Sequence, residues 1–266
     1  GKAILVTGGG GDGVGRGVCD AVVAAGGFLL VNDLTKDRAE AAAARYDNAV
    51  PLPGDVSSSE DVERMFQAAA RNCYHVAGLV NSAGVGLSRA AHEVEERDFD
   101  RLYNVDLRAV WLVSRAFLRQ ALKARTPGSI VNISSVNAHA TIPRYSLYAG
   151  AKGGVEALTR GLAVEYGDFA IRCNAVAPGY VHSEQNVPLL RTLTDDPEAW
   201  IEAQTRYHQA LPYKIEPIDC GRLVVFLLSD AARCITGQTI RIDCGSTVML
   251  YDKSLCKPAD PFDNGH

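Results

Sequence analysis

The sequence predicts an α/β domain built on one doubly wound parallel sheet of seven strands, with helices on both faces. Three observations carry that expectation. Short apolar runs alternate along the chain with segments of helical periodicity, the pattern of repeated strand–helix units. Most runs are apolar throughout rather than at every second residue, as strands covered on both faces must be. No linker, internal repeat or low-complexity tract interrupts the alternation, so residues 1–245 read as one domain and residues 246–266 as a tail.

The elements follow in order. KAILVTG reads as a buried strand that ends in glycines. Apolar residues then recur at helical spacing from Val14 to Ala25, and Gly26-Gly27 stops that helix. FLLVND is a second strand, the alanine-rich stretch from Asp37 to Tyr46 a helix, and AVPLPGD a weaker third strand. SSSEDVERMFQAAARN opens with serines ahead of acidic residues, a helix start. AGLVNSAG is a fourth strand. Glu95 to Ala124 reads as one long helix whose apolar side carries Phe99, Leu102, Val105, Val110, Phe117 and Leu122, and Pro127-Gly128 breaks it. SIVNISS is a fifth strand, Tyr148 to Tyr166 a helix, and IRCNAVAPG a sixth strand. Tyr180 to Pro217 has little periodicity and holds four prolines. Residues 218–229 form a helix and QTIRID the last strand.

The bulk composition narrows the function. The chain has 266 residues, 47% of them hydrophobic, and a net charge of −4 with no basic stripe. That excludes nucleic acid or an anionic membrane as its main partner. No apolar run approaches the ~20 residues of a membrane span, and no signal-peptide pattern opens the chain. Seven scattered cysteines, an odd number without a C-x-x-C, read as reduced core thiols in a reducing compartment, the cytoplasm. No spacing suits a metal, so no metal site is expected.

A ligand of such a sheet sits at the carboxyl ends of the strands. The turns after VTGG, VND, LVNSAG, NISS and VAPG all line that edge. The stretch VTGGGGDGVGRG lets the backbone approach a pyrophosphate at a helix N-terminus. Asp33 stands at the end of the second strand, 18 residues after Gly15, where an acid accepts bonds from adenosine ribose hydroxyls. Tyr148 and Lys152 are four apart on a helix and share a face. A tyrosine that exchanges protons near neutrality needs its pKa lowered by about 3 units, roughly 4 kcal/mol. One ammonium at ~4 Å in an effective dielectric near 20 supplies about that much.

With these motifs in their order, the sequence resembles the short-chain dehydrogenase/reductase family from Lys2 to about Gly245. TGGGGDGVG is similar to the family's T-G-x-x-x-G-x-G loop, and GDV at 54–56 to its adenine-side motif. NSAG at 81–84 is similar to N-N-A-G, NAVAPGYVHS to the segment that contacts nicotinamide, and CITGQTIRIDCG to the closing strand. Ser135 lies 13 residues before Tyr148, the family's serine–tyrosine spacing, and YAGAK resembles its tyrosine–lysine helix. The resemblance implies a single-domain Rossmann fold and hydride transfer between nicotinamide and a carbinol or carbonyl carbon. It implies Tyr148 as acid and base, Ser135 as the partner of the substrate oxygen, and Lys152 as the charge that tunes Tyr148 and holds the nicotinamide ribose. The cofactor residues it implies are Gly8, Gly13, Val14, Gly15, Asp33, Leu34, Asp55, Val56, Asn81, Ala83, Gly84, Tyr148, Lys152, Pro178, Gly179, Val181 and Ser183. It also implies a homotetramer paired through the long helix and the tyrosine–lysine helix.

The chain departs from the family at two places. In NVDLRAVW, Asp106 stands where the family has its fourth catalytic residue, an asparagine, and Asn104 where it has an aspartate. An intact but differently tuned proton relay through Asp106 is the expectation, with Asn104 as the alternative. The glycine loop has four residues between Gly8 and Gly13 where the pattern has three. One of them is Asp12, at a position where NADP-dependent members often carry Lys or Arg. Asp12 and Asp33 would both repel a 2′-phosphate, which points to NAD. By the resemblance, Asn137, His139, Arg144, Tyr145, Tyr180 and His182 line the substrate pocket, with residues 184–216 as a lid. Their polar and cationic character suggests an oxygenated or acidic substrate, a secondary alcohol or its ketone. The competing readings are an epimerase or dehydratase with tightly held NAD, and a nucleotide-binding sensor without catalysis.

Overall fold

Alternate residues of each strand go to opposite sides of the sheet, and both sides are filled. In β1 (Ala3–Val6), Ala3 and Leu5 join one core, Ile4 and Val6 the other. In the computed structural model, which describes residues 2–72 and 74–255, β1 is the middle of seven parallel strands. The others are β2 (Phe28–Val31), β3 (Ala49–Pro51), β4 (Val76–Asn81), β5 (Gly128–Ile133), β6 (Ile171–Pro178) and β7 (Thr239–Ile242), in the order β3-β2-β1-β4-β5-β6-β7. This is the doubly wound topology, and the order reverses between β1 and β4.

One face is covered by α3 (Ser59–Arg71), α5 (Ala109–Ala124) and α6 (Ser146–Glu165), which contribute Met65, Phe117 and Leu162. The other is covered by α1 (Val14–Ala24), α2 (Lys36–Ala43) and α9 (Pro217–Leu228), which contribute Val18, Ala42 and Leu227. The Thr35 and Ser58 hydroxyls cap α2 and α3, the second at the serine start that the sequence led one to expect. Cys19, Cys173 and Cys220 are buried thiols, pushed up to about 12 chiefly by burial, and so act as inert core residues. Cys73 and Cys256 lie outside the described residues. Among those residues no helix is long and apolar enough to cross a membrane, and no cluster of three or more His, Cys, Asp or Glu could hold a metal.

Helices α1 and α9 cross at Gly17, where a Cβ would stand 2.0 Å from the Pro217 carbonyl oxygen. The obstacle is backbone, which cannot swing away as a side chain does. Gly17→Ala is expected to lower stability by about 3 kcal/mol, the upper end for overpacking. In a domain of this size the melting temperature then falls by roughly 6–12 °C, measured by thermal unfolding.

Two segments differ from their sequence reading. The long helix from Glu95 to Ala124 is two helices, α4 (Glu96–Tyr103) and α5, joined by a π-helical turn over Asn104–Arg108. One wide turn there brings Asp106 inward, where its carboxylate meets Val85 and Lys152. The irregular stretch after Tyr180 holds α7 (Val187–Leu190) and α8 (Pro197–Tyr207). The Asp196 carboxylate accepts from the Ala199 N–H at 3.0 Å, and Pro197 takes the first helical position. That Asp-Pro start was a legible signal, obscured by the count of prolines.

Candidate active site

The carboxyl ends of β1, β2, β4, β5 and β6 border one cavity of about 990 Å³. Its floor begins at the glycine loop. Gly8 has φ +69°, and a Cβ there would lie 2.7 Å from the Ala83 Cα, so β1 and the loop after β4 approach as only glycine allows. The Thr7 hydroxyl ties the two loops together by accepting from the Ser82 and Ala83 N–H groups at 3.0 and 3.1 Å. Gly13, Val14 and Gly15 line the cavity at the start of α1. Asp12 does not. Its carboxylate is 59% exposed and pairs with Arg16 at 3.2 Å, one turn along α1. The longer turn thus bulges its acid into solvent, and of the two acids expected to repel a 2′-phosphate only Asp33 lines the cavity.

Asp33 is 5% exposed at the end of β2. Its oxygens accept from the Gly10 N–H at 2.8 Å, the Leu34 N–H at 2.9 Å and the Arg38 guanidinium at 2.5 Å. A second guanidinium contact, from Arg38 Nη2 to Oδ2 at 3.4 Å, fills the fourth of the carboxylate's acceptor positions, so a ribose hydroxyl would take the place of this longest contact. Leu34, Asp55 and Val56 line the same end of the cavity. Asp55 accepts from the Ser57 N–H and hydroxyl at 2.8 and 2.7 Å. The Asn32 amide braces this corner from beneath, donating to the Leu52 and Gly54 carbonyls.

At the other end stand the residues of the expected proton relay. Ser135, just past β5, is 7% exposed and accepts from the Asn137 N–H and side-chain amide, both at 3.2 Å. It lies close enough to the Tyr148 hydroxyl to work against the upward push of burial on that group. The Lys152 ammonium lies 5.6 Å from the Tyr148 ring centre and is buried beneath it. It donates to the Ile133 carbonyl at 3.2 Å and meets Asp106 Oδ2 at 3.0 Å. An ammonium has three donors, so one is left for a ribose hydroxyl above. Asp106 is fully buried, and its Oδ1 accepts from the Val85 N–H at 2.7 Å. Gly84, over Asp106 and Lys152, leaves their charged ends uncovered by a side chain.

The electrostatics depart from the sequence expectation. Burial pushes the Tyr148 hydroxyl up; Lys152 opposes this, while Asp106 adds to it, and the net direction is upward. Burial works to lower Lys152, but Asp106 and Tyr148 outweigh it and hold the ammonium above its ordinary value. The lysine is therefore firmly charged, yet part of its field is cancelled by Asp106. The sequence reading counted the cation and not the anion behind it.

Not every expected residue reaches the cavity. Asn81 turns into the core, donating to Ser114 Oγ at 3.1 Å and Asn132 Oδ1 at 2.8 Å, because the sheet interior needs its amide more than the wall does. Pro178, Gly179, Tyr180 and Val181 line the wall, whereas Ser183 stands behind it with its hydroxyl buried and unpartnered among the described residues. Asn137 and Tyr145 line the substrate end. His139 and Arg144 do not: both are exposed beyond the turn after Ser135, and Arg144 sits at φ +72° with its carbonyl tied to the Arg89 N–H. His182 also stands off the wall, edge-on to Tyr180 at 4.9 Å.

Three parts of the wall escaped the sequence reading. Arg38 pairs with Asp33, five residues away, across a helix start. Leu190, Trp200 and Gln204 come from α7 and α8, inside the stretch read as irregular. Met249 to Asp252 return over the cavity from the tail. Asp243, at the end of β7, starts that return. Burial would raise its carboxyl, but bonds from Thr247, Gly245 and Ser246 outweigh burial and hold it below the usual range. His208 and Asp252 then pair at 3.0 Å and fasten the tail to the end of α8.

A glycine cradle beside a helix N-terminus, a carboxylate at the end of β2 and a buried ammonium with one open donor fit a nicotinamide dinucleotide. Residues 9–247 match the family model described as enoyl-(acyl carrier protein) reductase. The chain belongs to the short-chain dehydrogenase/reductase family, whose members are nicotinamide-dependent oxidoreductases. Among its relatives, 2-(S)-hydroxypropyl-CoM dehydrogenase 3 of Xanthobacter autotrophicus is 31% identical over 252 residues, 93% of this chain and 97% of that one. Carbonyl reductase (NADPH) 2 of Sus scrofa is 31% identical over 245 residues, 92% of this chain and 96% of that one. Gluconate 5-dehydrogenase from Burkholderia cenocepacia, solved in complex with NADP and tartrate, superposes with a TM-score of 0.86 at 27% identity, covering 94% of this chain and 96% of that one.

Proposed function

We propose that this chain is an NAD-dependent dehydrogenase that interconverts a secondary alcohol and a ketone. The observation that carries the reading is the cluster of Ser135, Tyr148, Lys152 and Asp106 at the cavity end of β5 and α6. When bound, the nicotinamide ring supplies or accepts the hydride. The Tyr148 hydroxyl gives a proton to the carbonyl oxygen in reduction and takes it from the alcohol in oxidation. Ser135 holds that oxygen and steadies the charge that develops on it. Lys152 keeps a positive charge under Tyr148 and offers its third donor to the ribose. Asp106 is a positioning residue, acting through Lys152. Residues 184–216 serve as the lid. Gly8, Gly13, Val14, Gly15, Leu34, Asp55, Val56, Ala83, Gly84, Pro178, Gly179 and Val181 cradle the cofactor.

Asp33 supports NAD: its carboxylate can accept from a 2′-hydroxyl in place of the long 3.4 Å Arg38 contact, and a phosphate there would meet a negative charge. Two relatives are named for or solved with the phosphorylated cofactor, and Arg38 is close enough to greet one, so the choice needs measurement. With purified protein and a panel of secondary alcohols, kcat/KM for NAD+ is expected to exceed that for NADP+ by at least about tenfold, or 1.4 kcal/mol. Asp33→Ala, which frees Arg38 to meet a phosphate, is expected to reverse the preference. Equal or better use of NADP+ by the unsubstituted chain defeats the NAD reading, and turnover without NADH appearing defeats the dehydrogenase reading. Exposed Phe99 on α4, Trp111 on α5, Val164 at the end of α6 and Phe169 in the turn after it support a homotetramer, and the free thiols support a reducing, cytoplasmic setting.

A further inference from the structure

The substrate end of the cavity is built from four separate segments, and its chemistry is uniform. Ile142 and Tyr145 come from the turn before α6, Leu190 and Trp200 from α7 and α8, Tyr180 from the end of β6, and Met249 from the tail. Tyr145 stands edge-on to Tyr148 with ring centres 6.0 Å apart. Across from it, Tyr180 packs against Trp200 at 5.0 Å and 70°. Ile142 is 44% exposed at this wall. The polar tips among these residues, Asn137, Thr141 and Gln204, are uncharged.

Charge on this wall is already spent. His208 and Asp252 line it, but they pair with each other at 3.0 Å. Arg38 is held by Asp33 at the distant adenosine end. The cationic residues that suggested an acidic substrate, His139 and Arg144, lie outside the cavity. Arg101 of α4 is the remaining lining cation, with no ion pair or side-chain hydrogen bond among the described residues, and it borders the cavity beside Asn104 and Val105 rather than beside the aromatic wall. A carboxylate or phosphate ester in the aromatic end would lose its hydration without a cation to replace it. A ring gains edge-to-face contacts with Tyr145, Tyr180 and Trp200.

Resting on the dehydrogenase reading above, we propose that the substrate is an uncharged, ring-bearing secondary alcohol or ketone, its ring gripped by Tyr180 and Trp200 and its polar substituents facing Asn137 and Gln204. The reaction balances as hydride plus proton: the carbinol C–H electrons leave as hydride to NAD+, the O–H proton passes to Tyr148, and the C=O bond forms.

The experiment compares three panels of similar size with NAD+: cyclic and aryl-fused alcohols, open-chain polyols, and hydroxy acids. Ring alcohols are expected to lead in kcat/KM by at least about tenfold. Trp200→Ala is expected to raise KM for ring alcohols about tenfold with little change in NADH binding, and Trp200→Phe to restore most of it. A hydroxy acid as best substrate, lost on Arg101→Gln, overturns the proposal. A second readout does not need turnover. In a Trp111→Phe variant, whose remaining tryptophan is Trp200, 2-tetralone should quench fluorescence saturably and malate should not. Quenching without turnover of any panel keeps the ring-binding wall and sinks the dehydrogenase reading. The absence of both quenching and ring-alcohol turnover sinks the proposal.

Discussion

Tyr148→Phe is expected to lower kcat/KM by about 10²–10⁴-fold in both directions while NADH still binds. That range is what a positioned acid–base group contributes, and it corresponds to roughly 3–5.5 kcal/mol of transition-state stabilisation. The variant keeps the ring that packs against Tyr145 and removes one hydroxyl, the group beside Ser135. Steady-state kinetics with a cofactor titration separate the two effects, and a loss below tenfold would show that some other group moves the proton. The same hydroxyl sets the pH dependence. Burial and Asp106 hold it above its ordinary value, so the free enzyme carries the protonated phenol across neutrality. Ketone reduction uses that form and is expected to fall as pH rises through the phenol's pKa. Alcohol oxidation needs the deprotonated form and rises over the same interval.

Removing Asp106 has the second large effect, and two variants divide it. Asp106→Ala strips the partner from a buried ammonium and leaves the Val85 N–H without its acceptor. Breaking one side of a buried ion pair costs about 3–5 kcal/mol, so the melting temperature should drop markedly in a thermal scan. Deprotonation of Lys152 caps the loss, because a neutral amine is cheaper to bury than a charged one. Asp106→Asn keeps an oxygen for Val85 and removes only the charge. The carboxylate raises the Tyr148 hydroxyl, so its removal is expected to move the rising limb of the oxidation profile to lower pH. A profile that stays in place would show that Asp106 is structural and does not act through Lys152.

These two residues mark how far the sequence could be read. Ser135, Tyr148 and Lys152 were legible because their chemistry depends on spacing: four residues on a helix put two side chains on one face. The sheet was legible for a similar reason, since AILV and FLLV can be apolar throughout only if both faces are covered. Asp106 was legible as a position and not as a field. Its effect depends on a π-turn that places one oxygen 3.0 Å from Lys152, and no periodicity in NVDLR announces that extra width.

The loop VTGGGGDGVGRG shows the same limit from the other side. Its glycines and the acid at Asp33 belong to the sequence alone, because backbone freedom and charge are properties of residue type. Whether Asp12 faces ribose or water is a matter of which way one inserted residue turns, and Arg16 at 3.2 Å decided it. Likewise the sequence marked out the stretch after Tyr180 as lid and tail, but could not say that Trp200 and Met249 meet over one cavity. Local pattern determines strands, helices and the carriers of the chemistry, since those depend on neighbours along the chain. Only the tertiary structure decides which charges cancel and which side chains close the pocket, since those depend on distances between residues that the chain keeps far apart.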